Sequence, residues 1–83
     1  MAVKVIFQKS GMGIEEGTIV RWLKAEGEAV NKGDVLVEIE TAKAVVEVEA
    51  KTSGTLSRII AEQGQEVSVN AEIALIEEMT LRQ

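Results

Sequence analysis

An all-β fold, a small sandwich or flattened barrel of about eight short strands, is predicted by three observations. Apolar and β-branched residues recur in short runs separated by Gly, Asn and Asp. Residues 17–40 repeat as residues 54–77 without a gap. The runs are too short and too rich in glycine for helices. The first strand covers residues 3–7. Val3, Val5 and Phe7 share one face, and Lys4, Ile6 and Gln8 share the other. A loop follows over 9–16, with Gly11, Met12 and Gly13 at its centre. Binding residues favour such loops on rigid scaffolds, so this is a candidate recognition loop.

The repeat then sets the shape. Gly17 aligns with Gly54, Thr18 with Thr55, Arg21 with Arg58, Gly27 with Gly64, Val30 with Val67 and Glu40 with Glu77. Each copy reads as strand, turn at Glu26-Gly27 or Gln63-Gly64, short strand around Val30 or Val67, second turn, and strand. The second turns, Lys32-Gly33-Asp34 and Val69-Asn70-Ala71, place Gly and Asn where a left-handed backbone is expected. Connections this short imply antiparallel neighbours. Arg21 and Arg58 share strand parity with apolar residues, which predicts a bulge or a strongly twisted strand at each. Helices over 15–28 and 66–79 are disfavoured by Gly17, Gly27 and Gly64 and by the β-branched content. With strands near 3–7 and 44–50 added, each half has four, and a pseudo-two-fold axis relates the halves.

Between residues 34–39 and 45–50, both strand-like, lies Glu40-Thr41-Ala42-Lys43-Ala44. One continuous strand would far exceed the usual length of about 3–10 residues, so the chain reverses at Ala42-Lys43. Lys43 is one of six lysines, but it alone sits at a hairpin tip between two alanines that cannot screen it. Its flanks, Glu38, Glu40 and Glu47, are acidic. A solvated ammonium is a weak nucleophile. This lysine therefore suits an attachment point, acylated by an enzyme with an activated donor, better than a Schiff-base catalyst. Because the strand ending at Glu40 matches the one ending at Glu77, the Lys43 tip and the C-terminus should lie at opposite ends.

Composition narrows the function. The 83 residues make one domain, residues 1–83. Without His or Cys there is no nucleophile–base pair, no disulfide and no thiolate metal site, so independent catalysis is not expected. The net charge of −5 argues against nucleic acid and anionic membrane and suits docking on a basic protein surface. No stretch could span a bilayer, and Met1-Ala2-Val3-Lys4 is no signal peptide. A cytoplasmic setting is expected, or the mitochondrial matrix in a eukaryote. The 46% hydrophobic fraction allows a core, but only Phe7 and Trp22 are aromatic, so aliphatic side chains must build it.

These residues resemble the lipoyl domains of 2-oxo acid dehydrogenase complexes, within the biotinyl/lipoyl attachment superfamily. The resemblance rests on Gly11-Met12, on Glu15-Glu16-Gly17-Thr18-Ile19-Val20-Arg21-Trp22-Leu23 and on Glu26-Gly27-Glu28. It continues through Lys32-Gly33-Asp34-Val35-Leu36-Val37-Glu38-Ile39-Glu40-Thr41, Lys43-Ala44, Ser53-Gly54 and Glu62-Gln63-Gly64. It implies a flattened barrel of two four-stranded antiparallel sheets. It implies lipoate joined by an amide to Lys43, with Glu40, Thr41, Ala42, Ala44, Gly11 and Met12 as recognition residues. The partners it implies are a lipoate-protein ligase or lipoyl transferase, a thiamin-diphosphate 2-oxo acid decarboxylase, an acyltransferase core and dihydrolipoamide dehydrogenase. The domain itself would be a monomeric carrier, part of a dihydrolipoamide acyltransferase or another component.

The chain departs from the family pattern in places. Asp commonly precedes the modified lysine, where Ala42 stands here. There is no Pro in the first loop or near Ser53-Gly54. No Ala/Pro-rich linker follows Glu77, which suits an excised or free-standing domain. Biotin carriage is the competing reading, but biotin-carrier domains typically set Met on both sides of the lysine, and Ala42 and Ala44 favour lipoate. An unmodified β-sandwich interaction module is the reading from a different class.

Overall fold

A computed structural model describes residues 2–8 and 15–78. Eight strands form: β1 (Ala2–Ile6), β2 (Glu16–Trp22), β3 (Ala29–Val30), β4 (Val35–Glu40), β5 (Val45–Glu49), β6 (Gly54–Ile59), β7 (Glu66–Ser68) and β8 (Glu72–Glu78). They make two four-stranded sheets, ordered β1-β8-β6-β3 and β5-β4-β2-β7, with every pairing antiparallel. The first strand begins and ends one residue earlier than the alternation of residues 3–7 suggests. Phe7, just past its end, donates its N–H to Ala71 O at 3.1 Å.

The repeat is a true two-fold relation, and the two sheets do not coincide with the two halves of the sequence. Replacing each strand of one sheet by its repeat partner gives the other sheet: β1, β8, β6 and β3 become β5, β4, β2 and β7. The short strands are therefore exchanged. β3, from the first copy, pairs with β6, and β7, from the second, pairs with β2. The crossing is made at Gly27 and Gly64, whose φ values of +89° and +87° turn the chain out of one sheet toward the other. Gly27 N–H donates to Leu56 O at 2.7 Å, and Gly64 N–H donates to Ile19 O at 2.8 Å. Leu56 and Ile19 return bonds from their own N–H groups to Glu28 O and Gln65 O, each 2.9 Å. Gly33 and Asn70 take the left-handed backbone anticipated for them, with φ of +94° and +75°. The register slips between Ile19 and Arg21 and again between Leu56 and Arg58, at the two arginines whose parity signalled a bulge.

Side chains of both sheets meet in one aliphatic core. Ile19, Leu36, Val37 and Ile39 come from one sheet, and Leu56, Ile73, Ala74 and Ile76 from the other. Phe7 is the single buried aromatic among the described residues. Trp22 is half-buried and donates Nε1–H to Ala61 O at 2.8 Å, a tie from β2 to the segment after β6. Among the described residues no polar or charged residue is buried. The edge strand β1 is also tied by Lys4, whose ammonium meets Glu72 at 2.8 Å; that hydrogen bond raises the Lys4 pKa above its ordinary value.

Gly17 and Gly54, which are repeat partners, sit where backbones approach too closely for a side chain. A Cβ on Gly17 would fall 2.6 Å from the Ile39 side chain and 2.9 Å from Glu40 O. A Cβ on Gly54 would overlap the Glu77 carbonyl. Backbone cannot yield as a flexible side chain can. Gly54→Ala is expected to destabilise the fold by on the order of 2 kcal/mol. The check is the midpoint of urea unfolding, with the m-value unchanged.

Candidate functional site

The Lys43 hairpin joins β4 to β5, with Glu40 opposite Val45 as the last pair. Its loop is Ala42-Lys43, and no described residue other than Asn70 and three glycines has positive φ. The turn is therefore not one of the glycine-dependent types common in two-residue hairpins. Thr41 closes it instead. Thr41 N–H donates to Ala44 O at 2.9 Å, and Thr41 Oγ1 donates to the same oxygen at 2.6 Å. That hydroxyl also accepts from the N–H groups of Ala44, at 3.1 Å, and Lys43, at 3.3 Å. One hydroxyl thus does what a backbone carbonyl does in an ordinary turn.

Below the turn, Gly17 lets β2 press against the end of β4, with the Thr41 methyl 3.3 Å from where a Cβ would stand. Glu40, Ala42, Lys43 and Ala44 are exposed and Thr41 is half-buried. Lys43 makes no ion pair among the described residues, unlike Lys4 and Lys24. A primary amine on a rigid tip, free of a carboxylate partner and flanked by methyl groups, fits a group attached through an amide. The far end of the molecule holds the other feature placed by symmetry. Lys32 N–H bonds to Ser53 Oγ there, and Gly54 pairs with Glu78. The last described residues of β8 thus lie opposite the Lys43 tip, as the repeat implies.

Glu40, Thr41, Ala42, Lys43 and Ala44 are brought together as expected. Gly11 and Met12 lie outside the described residues. The two ends of their loop are described, and both lie at the Lys43 end. Phe7 is bonded to Ala71, and Glu15 O accepts from Val69 N–H at 2.9 Å. Two site features were not foreseen: the hydroxyl clamp of Thr41 and the close approach at Gly17. The first had a signal, since Thr two residues before a loop lysine is placed for a side-chain turn. The second had only an aligned glycine pair.

Charge is unequal between the sheets. The strands of the Lys43 sheet carry six glutamates (Glu16, Glu38, Glu40, Glu47, Glu49 and Glu66) and one arginine, Arg21. The strands of the other carry three glutamates, one lysine and one arginine. Arg21 Nε bonds Glu38 Oε1 at 3.0 Å, and the other five acids have no basic partner within their own sheet's strands. Glu38 faces Glu47 directly across β4 and β5.

The family model Biotin_lipoyl, described as biotin-requiring enzyme, matches residues 3–76. A solved structure, the lipoyl domain of the 2-oxoglutarate dehydrogenase complex from Azotobacter vinelandii, superposes with a TM-score of 0.67 at 30% identity. The match covers 95% of this chain and 99% of that one. The chain belongs to the lipoyl domains of the biotin/lipoyl family. It is also similar, at 50% identity over 80 residues, to the dihydrolipoyllysine-residue acetyltransferase component of the pyruvate dehydrogenase complex of Rickettsia bellii. That match takes in 94% of this chain and 19% of the relative, so the chain spans about a fifth of that relative's length. Kluyveromyces lactis urea carboxylase contains a region of like shape, with a TM-score of 0.79 at 25% identity over 93% of this chain and 6% of that one. This lipoyl domain is a carrier and not itself a catalyst.

The hydroxyl clamp gives a direct test of the tip. Thr41→Val keeps the shape of the side chain and removes its three hydrogen bonds. The expected loss of global stability is about 1 kcal/mol. The amide proton of Ala44, now without an acceptor, should exchange faster in hydrogen-exchange NMR while the amides of Ile39 and Val48 keep their rates.

Proposed function

We propose that Lys43 carries lipoate as an amide on its Nζ and that the domain works as a swinging carrier in a 2-oxo acid dehydrogenase complex. When bound, lipoate supplies a redox-active dithiolane that accepts an acyl group and electrons. The chain's own residues supply its position. Thr41 fixes the turn, Ala42 and Ala44 leave the amine open, and the two-sheet core holds the tip away from Ala2 and Glu78, the first and last described residues. The single observation that carries this reading is the Lys43 amine, without an ion pair among the described residues, on a side-chain-clamped hairpin in a chain that belongs to the lipoyl domains.

The partners follow from the same reading. A lipoate-protein ligase or lipoyl transferase would modify Lys43. A thiamin-diphosphate decarboxylase would load the arm, an acyltransferase core would unload it and dihydrolipoamide dehydrogenase would reoxidise it. Tethering keeps the arm at high effective concentration near each site. Gly11 and Met12, on a loop whose described ends lie beside the tip, would join Glu40, Thr41, Ala42 and Ala44 in recognition. The acidic Lys43 sheet favours partners with basic surfaces at their active-site mouths. The setting is cytoplasmic, or the mitochondrial matrix in a eukaryote.

Incubating the chain with lipoate, ATP and a lipoate ligase should add one lipoyl mass to the intact protein. Lys43→Arg should abolish that gain without changing the melting temperature. A shift that survives the substitution rejects the assignment. Biotin with a biotin ligase, run in parallel, should give no shift; a biotinyl mass on Lys43 would make the competing carrier reading the right one.

Charge is tested separately. Raising ionic strength from low to physiological should lower kcat/KM for reductive acylation of the lipoylated domain by roughly tenfold, chiefly through the encounter rate. Glu47→Gln with Glu49→Gln should flatten that dependence.

A further inference from the structure

Val45 is 55% exposed, the most open of the large hydrophobic residues described. It follows the tip directly, two residues from Lys43, so their Cα atoms are at most about 7 Å apart. The next residue, Val46, points the other way and lies on the rim of a groove of about 730 Å³ between the edge strands β1 and β5. Ile6 at the end of β1 and Gln8 just past it line the groove. They belong to the Lys43 end, because Ile6 pairs with Glu72 just after the turn that holds Asn70, and the neighbouring Ser68 pairs with Glu16. An apolar strip therefore begins beside Lys43, wraps the edge of β5 and enters the groove.

The opposite long side of the molecule carries a smaller depression of about 590 Å³, lined by Trp22, Leu23 and Ile59 and by Lys24, Glu26, Glu28 and Glu62. There the bonds from Gly27 to Leu56 and from Gly64 to Ile19 sew the sheets together. Along β1 and β5 the sheets part, and Val3, Val5, Val46, Val48 and Ile76 line the groove together with charged residues of both edge strands. The repeat gives the tip side and the far side of this groove the same backbone. Only the tip side has an exposed valine beside an attachment lysine.

We propose that this strip is the resting place of the arm carried by Lys43. It would take the alkyl chain and dithiolane against Val45, Val46 and Ile6 when no partner is engaged. The occupant is fixed by the tether: a group amide-bonded to Lys43 is apolar along its chain and cannot leave the neighbourhood of Val45. The inference rests on the lipoyl reading of Lys43. Docking takes the dithiolane partly out of water between encounters, and a partner must draw it off the strip.

The test uses the chain with its valine and isoleucine methyl groups labelled with carbon-13, before and after lipoylation of Lys43. The methyl signals of Val45, Val46 and Ile6 are expected to move and to show nuclear Overhauser contacts to the arm's methylenes. Those of Val3 and of Ile19 in the core should stay. In Val45→Ser the contacts should weaken, and a phosphine should reduce the dithiolane roughly two- to fivefold faster. Val45 is exposed, so the fold should be unaffected and the melting temperature unchanged. A lipoyl mass on Lys43 with unmoved Val45, Val46 and Ile6 methyls, or an unchanged reduction rate in Val45→Ser, overturns the resting place alone. No lipoyl mass on Lys43 overturns both this proposal and the carrier function.

Discussion

The bonds from Gly27 N–H to Leu56 O and from Gly64 N–H to Ile19 O are the constraint on which the rest depends. Each begins at a residue of positive φ that sends its chain across to the other sheet. A core with one buried aromatic among the described residues, and otherwise aliphatic, is small, and neither half of the sequence could close it alone. Exchange of β3 and β7 solves this. Each sheet borrows its short outer strand from the other half, so neither half can fold against water without its partner. The hydrophobic gain is then shared by all eight strands. The two ends of the molecule are fixed relative to each other without a disulfide.

On this symmetric frame the functional features are all asymmetric. The repeat partner of the Lys43 hairpin is the end where the described chain begins and β8 stops. Six glutamates lie on the strands of one sheet and three on those of the other. The hydrogen bonds of Phe7 and Ala50 are equivalent, since each exchanges bonds with a tight turn, at Asn70-Ala71 and at Gly33-Asp34. Yet nine residues separate Phe7 from Gly17, and three separate Ala50 from Gly54. The extra length falls in the loop that leaves and re-enters the fold at the Lys43 end. Backbone symmetry serves folding, and what was added unequally is charge, loop length and a lysine, the properties that meet a partner.

Much of this was legible in the order of residues. Turn chemistry is local, so Gly33 and Asn70 announced their left-handed backbones, and the two arginines announced their bulges by breaking the alternation. The exposed lysine was legible because a strand of some sixteen residues is too long to stay straight. The exchange of β3 and β7 was not. A repeat fixes where the chain turns but not which sheet the next strand joins; that is decided by contacts between residues 27 and 56 or 19 and 64, remote in sequence. The steric role of Gly17 was hidden for the same reason. Its neighbours Ile39, Glu40 and Thr41 come from another strand, and a glycine in a strand pattern reads equally well as a turn.

Ala42 is the clearest departure from the family's usual pattern, where an acid commonly precedes the modified lysine. The structure separates two roles such a residue could play. If residue 42 shaped the turn, an alanine there would leave Lys43 poorly held. Here the shaping falls to Thr41, whose hydroxyl binds both following amides and the Ala44 carbonyl. Ala42 is exposed and needs no partner of its own. An acid at this position is therefore not required for the geometry of the tip, and its absence removes one negative charge from the surface next to the amine. Glu40, one residue before Thr41, keeps a carboxylate at the base of the hairpin. The change at residue 42 thus falls on the exposed surface beside the Lys43 amine, and leaves the clamp beneath it intact.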